Sequence, residues 1–210
     1  MVTTLFLPFR RFLCFLVLSM GLLGSASPLQ AGALSHVDEA VQRALAVLRD
    51  PALGVPEKQT ERREKLRAIV YAEFDFDIMS QGAVGPKWHK FSDAQKARFI
   101  TLFERLLENT YMNSIERYKS EEVRFTKELV QSETLTRVDS VVVSKGAEFK
   151  ISYLLLKEGS SWKVSDVTIE GVSVVANYRA QFKQLLHQDD PAGIDAMLVT
   201  LENSVNKSEK

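Results

Sequence analysis

The sequence predicts an α+β fold: helices first, then an antiparallel sheet of about four strands, then helices again. Three observations predict it. Apolar residues recur at helical spacing from Leu34 and again from Ser92. Four segments then carry strand character, the last two joined to their predecessors by Ser144-Lys145-Gly146 and Glu158-Gly159-Ser160, turns short enough to force antiparallel neighbours. After Gly171 the helical period returns.

The first helix spans Leu34–Leu48, with Val37, Val41, Leu45 and Leu48 on one face. Asp50-Pro51 through Pro56 breaks it. Lys58–Tyr71 reads as a charged helix with Leu66, Ile69 and Val70 inward. Phe74, Phe76 and Met79 form a short helical or irregular piece, stopped by Gly82, Gly85 and Pro86. Ser92 opens the longest helix, and Ser92 with Gln95 makes a capping box. Its apolar face runs Phe99, Leu102, Phe103, Leu106, Leu107, Tyr111, Ile115 and Tyr118. Continued to Lys119 it is roughly 40 Å long, enough to cross a small domain.

The strands are Glu122–Val130, Thr134–Val143, Ala147–Lys157 and Ser161–Ile169. The third puts Phe149, Ile151, Tyr153 and Leu155 on one face and Leu154 and Leu156 on the other. In the fourth, Trp162 and Val164 alternate with polar residues, but the next apolar pair is Val167 and Ile169. That slip of phase predicts a bulge or bend at Ser165–Asp166. Gly171 permits a sharp turn, and Ser173 is the N-cap of the next helix, Ser173–His187. A last helix covers Pro191–Asn203, and about 204–210 reads as a frayed tail.

In the helix after Ser173, Val175, Arg179, Phe182 and Leu186 share one stripe. An arginine beside an apolar face has two readings. Its stem lies on the core while its head pairs with Asp166 or Glu170, the commoner case. Alternatively it stands at a pocket mouth facing an anionic group.

Composition narrows the function. The chain has 210 residues and no net charge, enough for one buried domain and against a nucleic-acid binder. Arg10 and Arg11 precede an apolar run from Phe12 to Leu23, and Ala31-Gly32-Ala33 fits a small-residue cleavage site. Residues 1–33 therefore read as an export signal and 34–210 as one domain, with a cut after Ala26 as the alternative. The apolar run is short of the ~20 residues of a membrane span. Cys14 is the only cysteine and lies in the signal, so the mature chain has no thiol chemistry or disulfide. His36, His89 and His187 lack metal-ligand spacing. Phosphate-loop, dinucleotide and nucleophile-elbow motifs are missing. Asp75 and Asp77, set among Phe74 and Phe76, are either a candidate acid–base pair or simple helix caps, and nothing completes a catalytic set.

Three stretches resemble one family. They are Trp162-Lys163-Val164 with Asp166 and Val167; Glu170-Gly171-Val172-Ser173; and Asn177-Tyr178-Arg179 with Gln181 and Phe182. Together they are similar to the C-terminal signature of the MlaC, or toluene-tolerance, family of periplasmic phospholipid-binding carriers. Upstream, Phe74–Trp88 is similar to the family's Phe-Asp start, Met-Ser pair and Gly-to-Trp spacing, and Ser92–Tyr111 to its Gln-to-Phe helix ending in Tyr. The resemblance implies a sheet wrapped by helices, related to cone-shaped nuclear-transport-factor-like folds, with a lipid cavity between sheet and helices. It implies no enzyme activity and no cofactor. It also implies transient partners: an inner-membrane ATP-binding transporter complex and an outer-membrane lipoprotein–porin complex.

Pattern alone cannot tell a filled core from a lined pocket; by itself it reads as core. The resemblance turns the apolar surface into a wall for acyl tails. The pocket candidates are Phe103, Leu107, Tyr111 and Ile115 on the long helix, Tyr153, Leu155, Val167 and Ile169 on the strands, and Val174 and Tyr178 after them, with Arg179 at the mouth. A diacyl lipid has roughly 30 chain carbons, each costing about 0.8 kcal/mol when left in water, so a carrier must enclose nearly all of them. Two rivals stay open: a hopanoid-linked carrier of the same family, and an enzyme on the cone-shaped fold using Asp75, Asp77 or Tyr178.

Overall fold

The computed structural model describes residues 32–117, 122–144, 146–186, 188 and 190–208. The predicted signal up to residue 31, together with Tyr118, Lys119 and His187, lies outside the described residues. Helix α1 (Ala33–Arg49) buries Ala33, Val37, Ala40, Leu45 and Leu48 along one stripe. It ends where the Asp50 carboxylate accepts the Ala52 N–H at 2.8 Å and Pro51 opens a 3₁₀ turn. Helix α2 (Gln59–Glu73) buries Leu66, while Ile69 and Val70 are half-buried.

A residue that periodicity does not single out holds this corner together. Arg62 is buried, and its Nη2 donates to the carbonyls of Leu48 (3.2 Å) and Glu116 (3.1 Å). Both carbonyls belong to last helical turns, where acceptors lack an intrahelical donor and the helix dipole favours a cation.

Helix α3 (Phe76–Val84) starts at Asp75, whose Oδ1 accepts the Ile78 N–H at 2.8 Å. Gly82 does not stop this helix, as the sequence predicted, but lies in its last turn. A Cβ there would come within 2.7 Å of Val175 Cγ1, so the glycine serves close helix packing. Gly85, with φ +72°, makes the stop. A 3₁₀ stretch (Gly85–Lys90) leads to α4 (Asp93–Glu116). The predicted capping box is formed: Ser92 N donates to Gln95 Oε1 at 3.0 Å, and Gln95 N donates to Ser92 Oγ at 3.3 Å.

The sheet is a meander in the order β1 (Glu122–Val130), β2 (Leu135–Ser144), β3 (Ala147–Glu158), β4 (Ser161–Ile169), β5 (Val172–Ser173), antiparallel throughout. The predicted slip of phase is a bulge: Leu154 opposes Asp166 and Leu155 opposes Val164, leaving Ser165 unmatched. One face of β4 can therefore present Trp162 and Val164 at one end and Val167 and Ile169 at the other. The fifth strand was not predicted. Glu170 (φ 49°) and Gly171 (φ 82°) form a two-residue reversal with both residues left-handed, the primed hairpin turn that suits sheet twist.

Ser173 then caps α5 (Val174–Leu185), accepting the Ala176 N–H at 2.9 Å and donating to Asp166 Oδ2 at 2.5 Å. Asp166 Oδ1 also accepts the Val175 N–H at 3.0 Å, so the bulge carries an acid that fixes the start of α5. Helix α6 (Pro191–Ser208) is longer than predicted. Residues 204–208 are helical rather than frayed, because fully buried Val205 belongs to the main core. Exposed ties to α4 extend the contact, among them Arg98–Glu202 at 2.6 Å.

The described residues pack around three apolar clusters. The main one joins α3, α4, α5 and α6. A second lies between α1 and the sheet, and includes Val37, Val138, Leu155 and Trp162. A third joins α1, α2 and α4 through Leu45, Leu48, Leu66 and Met112.

Candidate functional site

Helix α4 is about 36 Å long, and its neighbours cover only part of it. Along its first half, Phe99 and Phe103 meet Phe182 of α5 at ring distances of 5.1 and 5.7 Å. Tyr178, one turn earlier on α5, reaches Thr110 Oγ1 at 3.3 Å. From Glu104 onward, another side of α4 meets a cavity of about 320 Å³ that the sheet closes opposite.

Each wall follows from a local rule. On α4, Leu107, Tyr111 and Ile115 recur every four residues and share the cavity face, with Met112 beside them. On β3, Phe149, Ile151 and Tyr153 are two apart and share a face of the sheet. Across the ladder, Val167 opposes Tyr153 and Ile169 opposes Ile151, so the bulge sets both β4 residues under the cavity. Phe74, Phe76, Met79 and Val174 close one end, and Val70 and Tyr71 of α2 close one side. Phe74 is held in place by a bridge to β4, where Asp75 N donates to Val164 O at 2.9 Å. Tyr71 and Phe149, 38% and 40% exposed, mark where the cavity meets solvent.

The charged residues lining it are Glu104 and Glu108. Glu108 is paired with Arg67 of α2, whose Nε donates to Oε2 at 3.0 Å and whose Nη2 contacts the same carboxylate. That pairing raises the Arg67 pKa further. Glu104 has no such cation. Burial, and then the charge of Asp77, raises its pKa above the usual carboxylate value. Burial likewise raises the phenol pKa of Tyr71 and Tyr111.

Seven of the sequence candidates meet at this cavity: Leu107, Tyr111, Ile115, Tyr153, Val167, Ile169 and Val174. Four lie elsewhere. Phe103 is fully buried among Phe99, Tyr178 and Phe182, in the half of α4 that α5 and α6 cover. Leu155 is fully buried under α1 with Val138 and Val164, past the bulge. Tyr178 is core, with its ring edge-to-face to Phe103 at 5.3 Å. Arg179 reaches neither the mouth nor either predicted acid. Its Nε donates to Gly82 O at 2.6 Å, at the carbonyl end of α3, while Asp166 caps α5 and Glu170 accepts from the Lys150 N–H.

Phe149 and Ile151 were not picked from the sequence, although their alternation with Tyr153 carries the signal. Tyr71, Glu104 and Glu108 gave none, since charge on a helix face usually means solvent. Asp75 is used as a cap and Asp77 is exposed. Among the described residues there is no group of three His, Cys, Asp or Glu placed to hold a metal, and no helix long and apolar enough to cross a membrane.

Fold and cavity together define a class of protein: a helix-wrapped antiparallel sheet with an apolar pocket lined by few polar groups. The chain belongs to the MlaC protein family, whose model matches residues 38–203. No functionally curated protein matches it. Among solved structures it is similar to a phospholipid-binding protein from Ralstonia solanacearum, determined in complex with a phospholipid. The TM-score is 0.75 at 23% identity, over 86% of this chain and all of that one.

Proposed function

We propose that this chain is a periplasmic carrier that binds a phospholipid by its acyl chains and shuttles it between inner- and outer-membrane complexes. The observation that carries this is the cavity itself: apolar side chains of α4, β3 and β4 facing one another across unfilled space. Apolar side chains that line a cavity of this kind gain dispersion contacts when an apolar chain lies among them. The volume is roughly twice that of the engineered apolar cavity that binds benzene. Tyr71 and Phe149, both partly exposed, place the opening of the cavity at the protein surface. The similar fold of a protein solved with a phospholipid supports the same reading. Leu107, Tyr111, Ile115, Tyr153, Val167, Ile169 and Val174, with Phe149 and Ile151, would contact the tails.

Such a carrier needs no covalent step. It exchanges apolar contact with a membrane for apolar contact with protein, and the headgroup stays near water. The partners would be a transporter complex in the inner membrane and a lipoprotein–porin complex in the outer membrane. The energy would come from the transporter's ATP-binding subunit.

Export is part of the reading, and the fold bears on where the signal is cut. Ala33 is fully buried between α1 and the sheet, and the N–H of Leu34 donates to Glu128 Oε1 at 3.3 Å. A cut after Ala33 would strip that residue from the core, although the Leu34 nitrogen, then an α-ammonium, would still reach Glu128. A cut after Ala26 would keep Ala33, and Gly24 and Ala26 supply the small residues a signal peptidase needs. The mature chain is expected to begin at Ser27, and intact mass of the protein recovered from a periplasmic extract reads the position. A mass starting at Leu34 would contradict it.

Transfer is measured with two vesicle populations, donors carrying a self-quenched phospholipid probe and acceptors without it. Catalytic amounts of protein are expected to speed dequenching at a rate proportional to protein concentration. A rate equal to the protein-free control would remove the shuttle from the proposal.

A further inference from the structure

The reading of the cavity as a phospholipid site, on which the following rests, leaves open what is chosen at the headgroup. Apolar walls cannot choose, since acyl tails are shared by all diacyl lipids. The choice falls to polar groups where the cavity meets water between α2 and α4. The charged groups among those that line the cavity have one sign. No Lys or Arg is among the described residues that line the cavity. Arg67 stands next to it, but both oxygens of Glu108 engage it. Glu104, one turn before Glu108 on α4, lines the cavity half-buried, with no hydrogen-bond or ion-pair partner among the described residues. The groups that face it are Asp77 of α3, Tyr71 of α2 and Glu108, which is ion-paired to Arg67. An unpaired carboxylate in partly dry surroundings is unfavourable, and a cation brought beside it removes the cost. Burial, and then the charge of Asp77, raises the Glu104 pKa in keeping with that cost.

We propose that Glu104 selects the headgroup: the site takes phospholipids whose headgroup carries an ammonium in preference to those whose headgroup is anionic throughout. The phosphodiester is common to both kinds and does not discriminate. The ammonium lies a few bonds further out and can reach a carboxylate at the rim while the tails remain in the cavity. An anionic headgroup without an amine places its charge near Glu104 and Asp77 with nothing in return. The effect is that of a partly exposed ion pair, a factor of about three to five in relative affinity.

The test incubates the full mature chain with vesicles of equal parts phosphatidylethanolamine and phosphatidylglycerol of matched chains. Native mass spectrometry then reads the ratio of the two lipids among loaded molecules. The ratio is independent of how many molecules are loaded, so a variant that loads less still reports. Wild type is expected to be enriched about three- to fivefold in the ethanolamine lipid. Glu104→Gln should bring the ratio near one, and Glu104→Lys should invert it. Equal uptake by wild type, or an unchanged ratio in Glu104→Gln with a native-like melting curve, overturns the selection and leaves the carrier standing. No uptake of either lipid overturns the carrier itself.

Discussion

Phe99→Ala is expected to destabilise the protein by about 3–5 kcal/mol, the range for removing a fully buried aromatic ring. Phe99 has no exposed surface and packs between the 3₁₀ stretch with its linker, its own helix and α5. Its ring lies 5.8 Å from Trp88, 6.1 Å from Phe91, 5.7 Å from Phe103 and 5.1 Å from Phe182. Three of the four contacts are edge-to-face, the favourable electrostatic arrangement, so the loss includes more than area. Domains are stable by only about 5–15 kcal/mol, so much of the fold's margin would go. Urea unfolding measures it. A loss under about 1 kcal/mol would mean that this half of α4 is not tightly packed core, and the contrast with the cavity half would fail.

Leu107→Trp is expected to leave stability nearly unchanged and to lower lipid occupancy. It sits at the boundary between core and cavity and faces unfilled space. Added volume in a filled core costs about 1–3 kcal/mol, because neighbours must leave their rotamers. Added volume in a cavity has somewhere to go, so the stability change should stay below about 1 kcal/mol. Lipid occupancy should fall severalfold, since the indole takes the space of several methylenes. Ile151→Trp, from the opposite wall, should behave alike and guards against a local misfold at Leu107. Thermal melting and native mass spectrometry of the same preparations separate the two effects. A large stability loss with unchanged occupancy would show that these residues fill a core.

Local signals carried most of the fold. The capping box at Ser92, the Ser173 cap and the slip of phase in β4 each have a short-range physical cause, and each is present. The fifth strand was not legible because two residues carry no periodicity; only the left-handed pair Glu170-Gly171 marks it. Arg62 was not legible either, since its partners are backbone carbonyls more than a dozen residues away in the chain.

The site divides in the same way. Alternation on β3 and β4 and the four-residue stripe on α4 bring seven candidates to one cavity. The stripe cannot say where it ceases to be core, because that depends on how far α5 and α6 reach along α4. Phe103 and Leu107 have the same spacing and the same chemistry, yet only Leu107 meets the cavity. Arg179 follows neither of its two sequence readings in full, for a related reason. Its partner is a carbonyl exposed by the end of another helix, which no charge pattern announces.

The central claim is that the space between α4 and the sheet belongs to acyl chains. The most direct measurement is native mass spectrometry of the mature protein purified from a bacterial periplasm, followed by solvent extraction and mass analysis of what is released. The account predicts a mass excess equal to one phospholipid per chain, lost on extraction and regained from vesicles. Protein that is lipid-free as purified, and stays lipid-free after incubation with vesicles, would contradict it.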